Sequence, residues 1–418
     1  MQTNLELFNK SKRVLSGGVN SPVRAMKPDY PFFTKKGYEC YLIDEEKKSY
    51  IDYCLGYGPL IFGHAPEEIV TALCMQLENG TIYGTPTKLE LEYANEITSL
   101  VPNVDMCRIV NTGTEATMNA IRLARGFTGR TKIIKFMGGY HGAHDGVLVK
   151  AGSGALTHAV PDSYGVPPDT AGHTLLCEYN DLSTLNDLFD KYKQEIACII
   201  VEPILGNIGC ILPETGFLEE IRKLCTENGT LLIFDEVITG FRLGLSGGQG
   251  YFGIDADIVT LGKIAGGGLP IGIFGARTEI MENLAPEGKV YNGGTFNGNP
   301  VSITAGLTAI RTLKEKNPYQ KLEEVGTKIR NGFQEIFPFT SVQGVTSMFC
   351  MYMSNEKVTN YKDAITNVDK DLFLRYQRQM LEKGVFHPPS QYECNFISTA
   401  HTNEVIEETL EKAKQCRI

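Results

Sequence analysis

The chain has 418 residues, 42% of them hydrophobic and 21% charged, enough to bury one large core and a smaller second one. A formal net charge of -9, with no Lys/Arg cluster breaking the acidic balance, argues against nucleic acid as the main partner and leaves room only for local basic sites that hold small anions. The opening MQTNLELFNKSKRVLSGG lacks the apolar core of a signal peptide, and no run of about 18 apolar residues occurs, so no membrane association is expected and the chain reads as cytoplasmic.

Taken in order, the first 60 residues mix Pro, Gly and aromatic residues with short alternating runs such as 38–43, which reads as an N-terminal hairpin arm. Helical periodicity follows over 66–79 and 89–100. The apolar run CRIV (107–110) leads into NTGT, and a helical pattern starts at Glu115. Further strand segments are expected at KIIKFMGGYHG (132–142), ACIIVEP (197–203), LLIFDEV (231–237) and DIVTLGK (257–263), separated by helical stretches such as 216–227. That alternation predicts right-handed crossovers and a mostly parallel sheet flanked by helices. Beyond Asn299-Pro300, helices over 302–316 and 319–336 precede short strands at 347–352 and 396–398. The expected organisation is an arm (1–60) packing with the small domain, a large α/β domain (61–310) and a small C-terminal α+β domain (311–418).

The eleven cysteines form no CxxC pair and several sit in apolar runs, so they read as reduced, buried thiols. His141 and His144 are a close histidine pair without carboxylate or cysteine partners at ligand spacing, so no metal site is expected. Residues 245–249 spell LSGGQ, a nucleotide-type signature, but the Gly-x4-Gly-Lys-Ser/Thr loop it requires is missing from the sequence, and a plain glycine-rich loop is the better reading. The better anion signal is the strand ending in Asn111-Thr112-Gly113-Thr114 before a helix, where backbone N–H groups and threonine hydroxyls form a cradle.

Two charges decide what that cradle is for. Asp235 ends one apolar strand and Lys263 another, and strand ends in parallel sheets are where ligands sit. A pyridine aldehyde phosphate matches the combination: the lysine amine forms a Schiff base with the aldehyde, a carboxylate keeps the ring nitrogen protonated, the helix start holds the phosphate and Tyr140 covers the ring.

At these residues the chain resembles the class III aminotransferase family of fold-type I pyridoxal-phosphate enzymes, and its aminomutase branch within it. The stretches that carry the resemblance span nearly the whole chain: SGGVNSPVRA (16–25), GPLIFGHAP (58–66), VNTGTEATMNAIRLAR (110–125), GGYHGAHDGVLVKAGSG (138–154), FDEVITGFR (234–242), TLGKIAGGGLPIG (260–272), GGTFNGNP (293–300) and PPSQYECNFISTAHT (388–402). SPVRA, KAGSG and SQYE are the segments that point to the aminomutases. The resemblance implies pyridoxal 5'-phosphate on Lys263, alternating with pyridoxamine 5'-phosphate, Asp235 on the ring nitrogen, Val237 and Tyr140 against the ring, Gly113 and Thr114 on the phosphate, and Glu202 and Asn207 near the cofactor hydroxyl. It also implies a homodimer in which Thr295 completes the phosphate site of the other subunit.

For the substrate, a 4-amino-5-oxo acid turned into a 5-amino-4-oxo acid through a diamine, it implies Arg24 and Ser21 at the carboxylate and Glu393 at the amino end. Tyr57 stands where the family pattern has tryptophan, and the chain contains no tryptophan. His141 is expected to be structural. A lid is expected over 152–154 and 161–170. Two alternatives stay open: an ordinary class III aminotransferase, which would share Lys263, Asp235, Gly113, Thr114 and Thr295, and a non-catalytic cofactor-binding homologue.

Overall fold

The computed structural model describes residues 2–26, 29–149 and 163–418. A short helix, α1 (Asn4–Ser11), precedes the strands β1 (Thr34–Tyr38), β2 (Tyr41–Asp44) and β3 (Ser49–Asp52), and β1 and β2 form the expected hairpin. Helices α2 (Glu67–Asn79) and α3 (Lys88–Leu100) follow. Helix α3 starts at Thr87 because a capping box closes it: the Thr87 hydroxyl accepts from Glu90 N at 3.3 Å while the Glu90 carboxylate accepts from Thr87 N at 2.7 Å.

The central sheet contains β4 (Met106–Val110), β5 (Lys132–Phe136), β6 (Thr174–Cys177), β7 (Ile196–Val201), β8 (Leu231–Glu236), β9 (Ile258–Gly262) and β10 (Gly272–Ala276), in the order β4-β10-β9-β8-β7-β5-β6. Strands β6, β5, β7, β8 and β9 run parallel, whereas β10 is antiparallel to both β4 and β9. Every residue of β7, β8 and β9 is buried, which is why these strands read as continuous apolar runs: helices cover both faces of a parallel sheet. Each fully buried Ile, Leu or Phe there stabilises the fold by roughly 1.5–3 kcal/mol. In β7, β8 and β9 charges sit only at or just past a strand end, where Asp235, Glu236 and Lys263 lie.

Helix α4 (Gly113–Thr128) joins β4 to β5. It begins two residues earlier than the sequence pattern placed it, because Thr112 caps it by accepting from Glu115 N at 3.1 Å. The helices Pro300–Lys316 and Tyr319–Ile336 lead to an antiparallel sheet of β11 (Ser341–Val345), β12 (Met348–Tyr352) and β14 (Asn395–Phe396). Strand β13 (Val385–Phe386) instead pairs parallel with β3, so the N-terminal hairpin and the C-terminal region share one sheet. The LSGGQ stretch runs into a short helix, Gly247–Phe252, whose N–H groups are taken by the buried Glu236: Gly248 N and Gln249 N both donate to it. No anion needs to fill that turn.

Candidate active site

A cavity of roughly 860 Å³ opens where β8, β9 and the start of α4 converge. It is lined by Gly113, Thr114, Tyr140, Glu202, Asn207, Asp235, Val237 and Lys263 from the large sheet and its loops, by Ser21 and Tyr57 from the N-terminal region, and by Glu393 from the C-terminal one. Residues far apart in sequence meet because β8 and β9 are neighbours in register, with Asp235 opposite Thr260.

Asp235 is held by three donors. The Thr260 hydroxyl and Val237 N bond its Oδ1 at 3.1 and 3.2 Å, and the His141 ring nitrogen Nδ1 lies 2.7 Å from Oδ2. His141 is buried, its proton affinity is lowered chiefly by burial against the pull of Asp235, and its Nε2 has no partner among the described residues. The structural role expected for His141 is therefore specific: it orients the carboxylate that faces the cavity. Thr260 was missed in the sequence because only strand register, which the sequence does not display, sets it beside Asp235.

Lys263 directly follows β9 with φ +46, a left-handed backbone that a non-glycine residue adopts at a cost. Its Nζ donates to the Tyr57 carbonyl oxygen at 2.6 Å. Burial lowers the proton affinity of the amine, Glu393 and Glu202 oppose that, and Arg242 adds to it. Tyr57 sits in a run of positive φ from Leu55 to Gly58, and its hydroxyl donates to the Val23 carbonyl at 3.2 Å, in the segment that carries Ser21 and Arg24. Gly58, at φ +116, holds a backbone conformation that a side chain would strain, and a Cβ there would crowd the Phe396 ring at 3.2 Å.

The start of α4 is prepared for an anion. The first N–H groups of a helix have no partner within it, and with Glu115 N taken by Thr112, Gly113 and Thr114 line the cavity at that helix start. The Thr114 hydroxyl accepts from Ala143 N at 3.2 Å, in the loop after Tyr140. Glu202 anchors that loop from the far side, its carboxylate accepting from Tyr140 N at 2.9 Å, Gly206 N at 3.0 Å and Asn207 Nδ2 at 2.9 Å; burial, followed by the nearby Asp235, pushes its pKa up to about 7.

Two of the residues singled out in the sequence do not line the cavity of their own chain. Arg24 is exposed, close enough to the Tyr57 hydroxyl to act on it electrostatically, while its neighbours Ser21, Pro22 and Val23 do line the wall. Thr295 is exposed in a segment that meets the start of α4 through a 3.0 Å bond from Asn111 Nδ2 to Asn297 Oδ1. Residues 152–154, 161 and 162 of the expected lid lie outside the described residues; Ser163 lines the cavity. Among the described residues no group of His, Cys, Asp or Glu could hold a metal.

The family model for aminotransferase class-III matches residues 23–415. The chain belongs to that family. As a class III chain it is 50% identical over 98% of its length, and 96% of the relative's, to the glutamate-1-semialdehyde 2,1-aminomutase of Methanococcus maripaludis. Among solved structures it resembles an omega-transaminase from Sphaerobacter thermophilus, with a TM-score of 0.92 and 30% identity, covering 99% of this chain and 96% of that one. A transaminase with pyridoxal phosphate bound superposes with a TM-score of 0.89 at 26% identity, covering 100% and 97%. The fold is that of the fold-type I transaminases.

Proposed function

We infer that this chain is a pyridoxal-phosphate-dependent isomerase, a glutamate-1-semialdehyde 2,1-aminomutase that converts (S)-4-amino-5-oxopentanoate to 5-aminolevulinate through a diamine, for tetrapyrrole synthesis. The observation that carries the chemistry is the cavity in which an oriented carboxylate, an enclosed lysine amine and a bare helix N-terminus converge. The near-full-length relatives of that name carry the choice among class III reactions.

The residues present fit pyridoxal phosphate. The Gly113 and Thr114 N–H groups suit a phosphate, and the approach is kept open by glycine at 113 and 142, where a Cβ would stand 3.1 Å from Val237 and 2.7 Å from the Thr114 hydroxyl. Asp235 supports a protonated ring nitrogen, its other contacts all being donors. When bound, the cofactor supplies an electron-accepting ring and the amino group that is exchanged.

The chain's own residues do the rest. Lys263 Nζ, whose amine is biased toward the neutral form by burial, takes a proton from one carbon and returns it to another. Val237 and Tyr140 confine the ring, and Glu202 and Asn207 hold the wall on the hydroxyl side. Ser21 and Arg24 receive the substrate carboxylate, Tyr57 supplies the aromatic wall beside them, and Glu393 takes the amino end.

A homodimer belongs to this reading, with Thr295 reaching the partner's phosphate site. Its exposure supports this, as does the apolar surface around it: Tyr291 and Phe296 are 73% and 59% exposed, and Asn299 Nδ2 ties their segment to Thr81 O at 3.0 Å, beside exposed Ile82, Tyr83 and Leu91. The division into 1–60, 61–310 and 311–418 is part of the same proposal, and so is a cytoplasmic location; among the described residues no helix is long and apolar enough to cross a membrane.

Subunit mixing tests the reading. Lys263→Ala and Thr295→Ala should each be impaired alone. Mixed, they form some dimers in which one site keeps both residues, restoring on the order of a quarter of wild-type turnover. A mixture no more active than the average of its parents would contradict the shared site.

A further inference from the structure

Arg242 is among the largest fully buried side chains of the molecule, at 0% exposure, and no carboxylate lies within ion-pair distance of it among the described residues. A buried cation without a counter-charge costs several kcal/mol, so its position calls for a reason. Its partners come from three distant parts of the chain. Nη2 donates to the Gly58 carbonyl oxygen, Nη1 donates to the Ser347 hydroxyl at 2.9 Å, and the guanidinium lies 4.6 Å from the centre of the Phe396 ring. Gly58 directly follows Tyr57, whose carbonyl holds the Lys263 amine, and Phe396 lines the same cavity.

We propose that Arg242 is a positioning residue for Lys263: by tying Gly58, Ser347 and Phe396 together beneath the cavity floor, it fixes the strained 55–58 turn whose carbonyl aims the lysine amine. The proposal rests on Lys263 being the reactive amine. The turn needs such a tie because Leu55 and Tyr57, neither a glycine, have φ of +46 and +66, a conformation that persists in such residues only where the surroundings impose it. The charge has a second effect. A neighbouring cation disfavours protonation of an amine, and Arg242 acts on Lys263 in that sense, with burial and against Glu393, Glu202 and the Cys394 thiol. The groups acting on Arg242 itself are Cys394 and Tyr319, neither a carboxylate.

The test follows the capture of pyridoxal phosphate by the full chain across pH 6–10. The amine adds to the aldehyde carbon with loss of water, the product is fixed by borohydride, and it is counted by mass. Arg242→Met should slow capture at pH 7 roughly tenfold and move its pH midpoint up by about one unit. Arg242→Lys should keep the midpoint near wild type, and Ser347→Ala, which retains the charge, should slow capture without moving the midpoint. Capture and midpoint unchanged in Arg242→Met, or equal shifts in the Met and Lys variants, would overturn the proposal. If Arg242→Met does not fold, unchanged capture in both Arg242→Lys and Ser347→Ala overturns it. The control separates the two ideas: Lys263→Ala should capture nothing, and wild-type capture there would sink the assignment of Lys263 instead.

Discussion

Lys135, on strand β5 beside the edge strand β6, buries an ammonium against carbonyl oxygens alone, donating to Val147 O at 3.0 Å and Val149 O at 3.3 Å. Burial pulls its pKa down to about 8, with Glu202 opposing. The unfolded chain therefore holds this proton between about pH 8 and 10.5 when the folded chain has released it, so the penalty is full below pH 8 and fades as pH rises through that window. Wild type should gain stability relative to Lys135→Met between pH 7 and pH 10, on the order of 1–3 kcal/mol in urea unfolding. A difference independent of pH would contradict this. Asp235 and Lys263 were legible because a charge ending an apolar run is conspicuous. Lys135 was not, because nothing in KIIKF says that its lysine faces inward, and neither Arg242 nor Thr260 could be found without knowing which strands and turns are neighbours.

At the scale of elements, the strand-to-helix junction at the start of α4 carries the most chemistry for its length. It works because residue 113 has no side chain, with the Val237 methyls standing 3.1 and 3.2 Å from where a Cβ would be. Gly113→Val should push either Val237 or the helix start out of place and weaken pyridoxal phosphate binding roughly tenfold or more, with α4 still formed, since the Thr112 cap is untouched. Titration of the bound cofactor's absorbance checks it, and unchanged affinity would remove Gly113 from the phosphate site. Four of the five parallel strands, and helices such as those over 67–79 and 300–316, were legible because burial on both faces and a 3.6-residue period leave clear traces, whereas the short parallel strand β6 was not read. Strand β10 was not, since GIFGA is short, small and indistinguishable from a loop. The β13 pairing with β3 was hidden too, as two residues carry no period.

The whole molecule gathers one cavity from its N-terminal, central and C-terminal parts. The lysine amine is held by a carbonyl of the N-terminal region, Asp235 ends a strand of the central sheet, and Glu393 comes from the C-terminal part. That convergence explains why the cofactor chemistry could be read from central motifs, while the substrate contacts we propose lie on peripheral segments such as the one carrying Ser21 and Arg24, whose placement depends on how the segments pack. An isomerisation and an ordinary amino transfer differ in one respect that the assembled protein reveals directly. Purified protein loaded with pyridoxamine phosphate should convert glutamate 1-semialdehyde alone into 5-aminolevulinate over many turnovers per site, with no keto acid added. About one equivalent of 4,5-diaminopentanoate released per site, with the cofactor left as pyridoxal phosphate and further conversion only when an amino donor is supplied, would contradict the mutase and make the protein an aminotransferase.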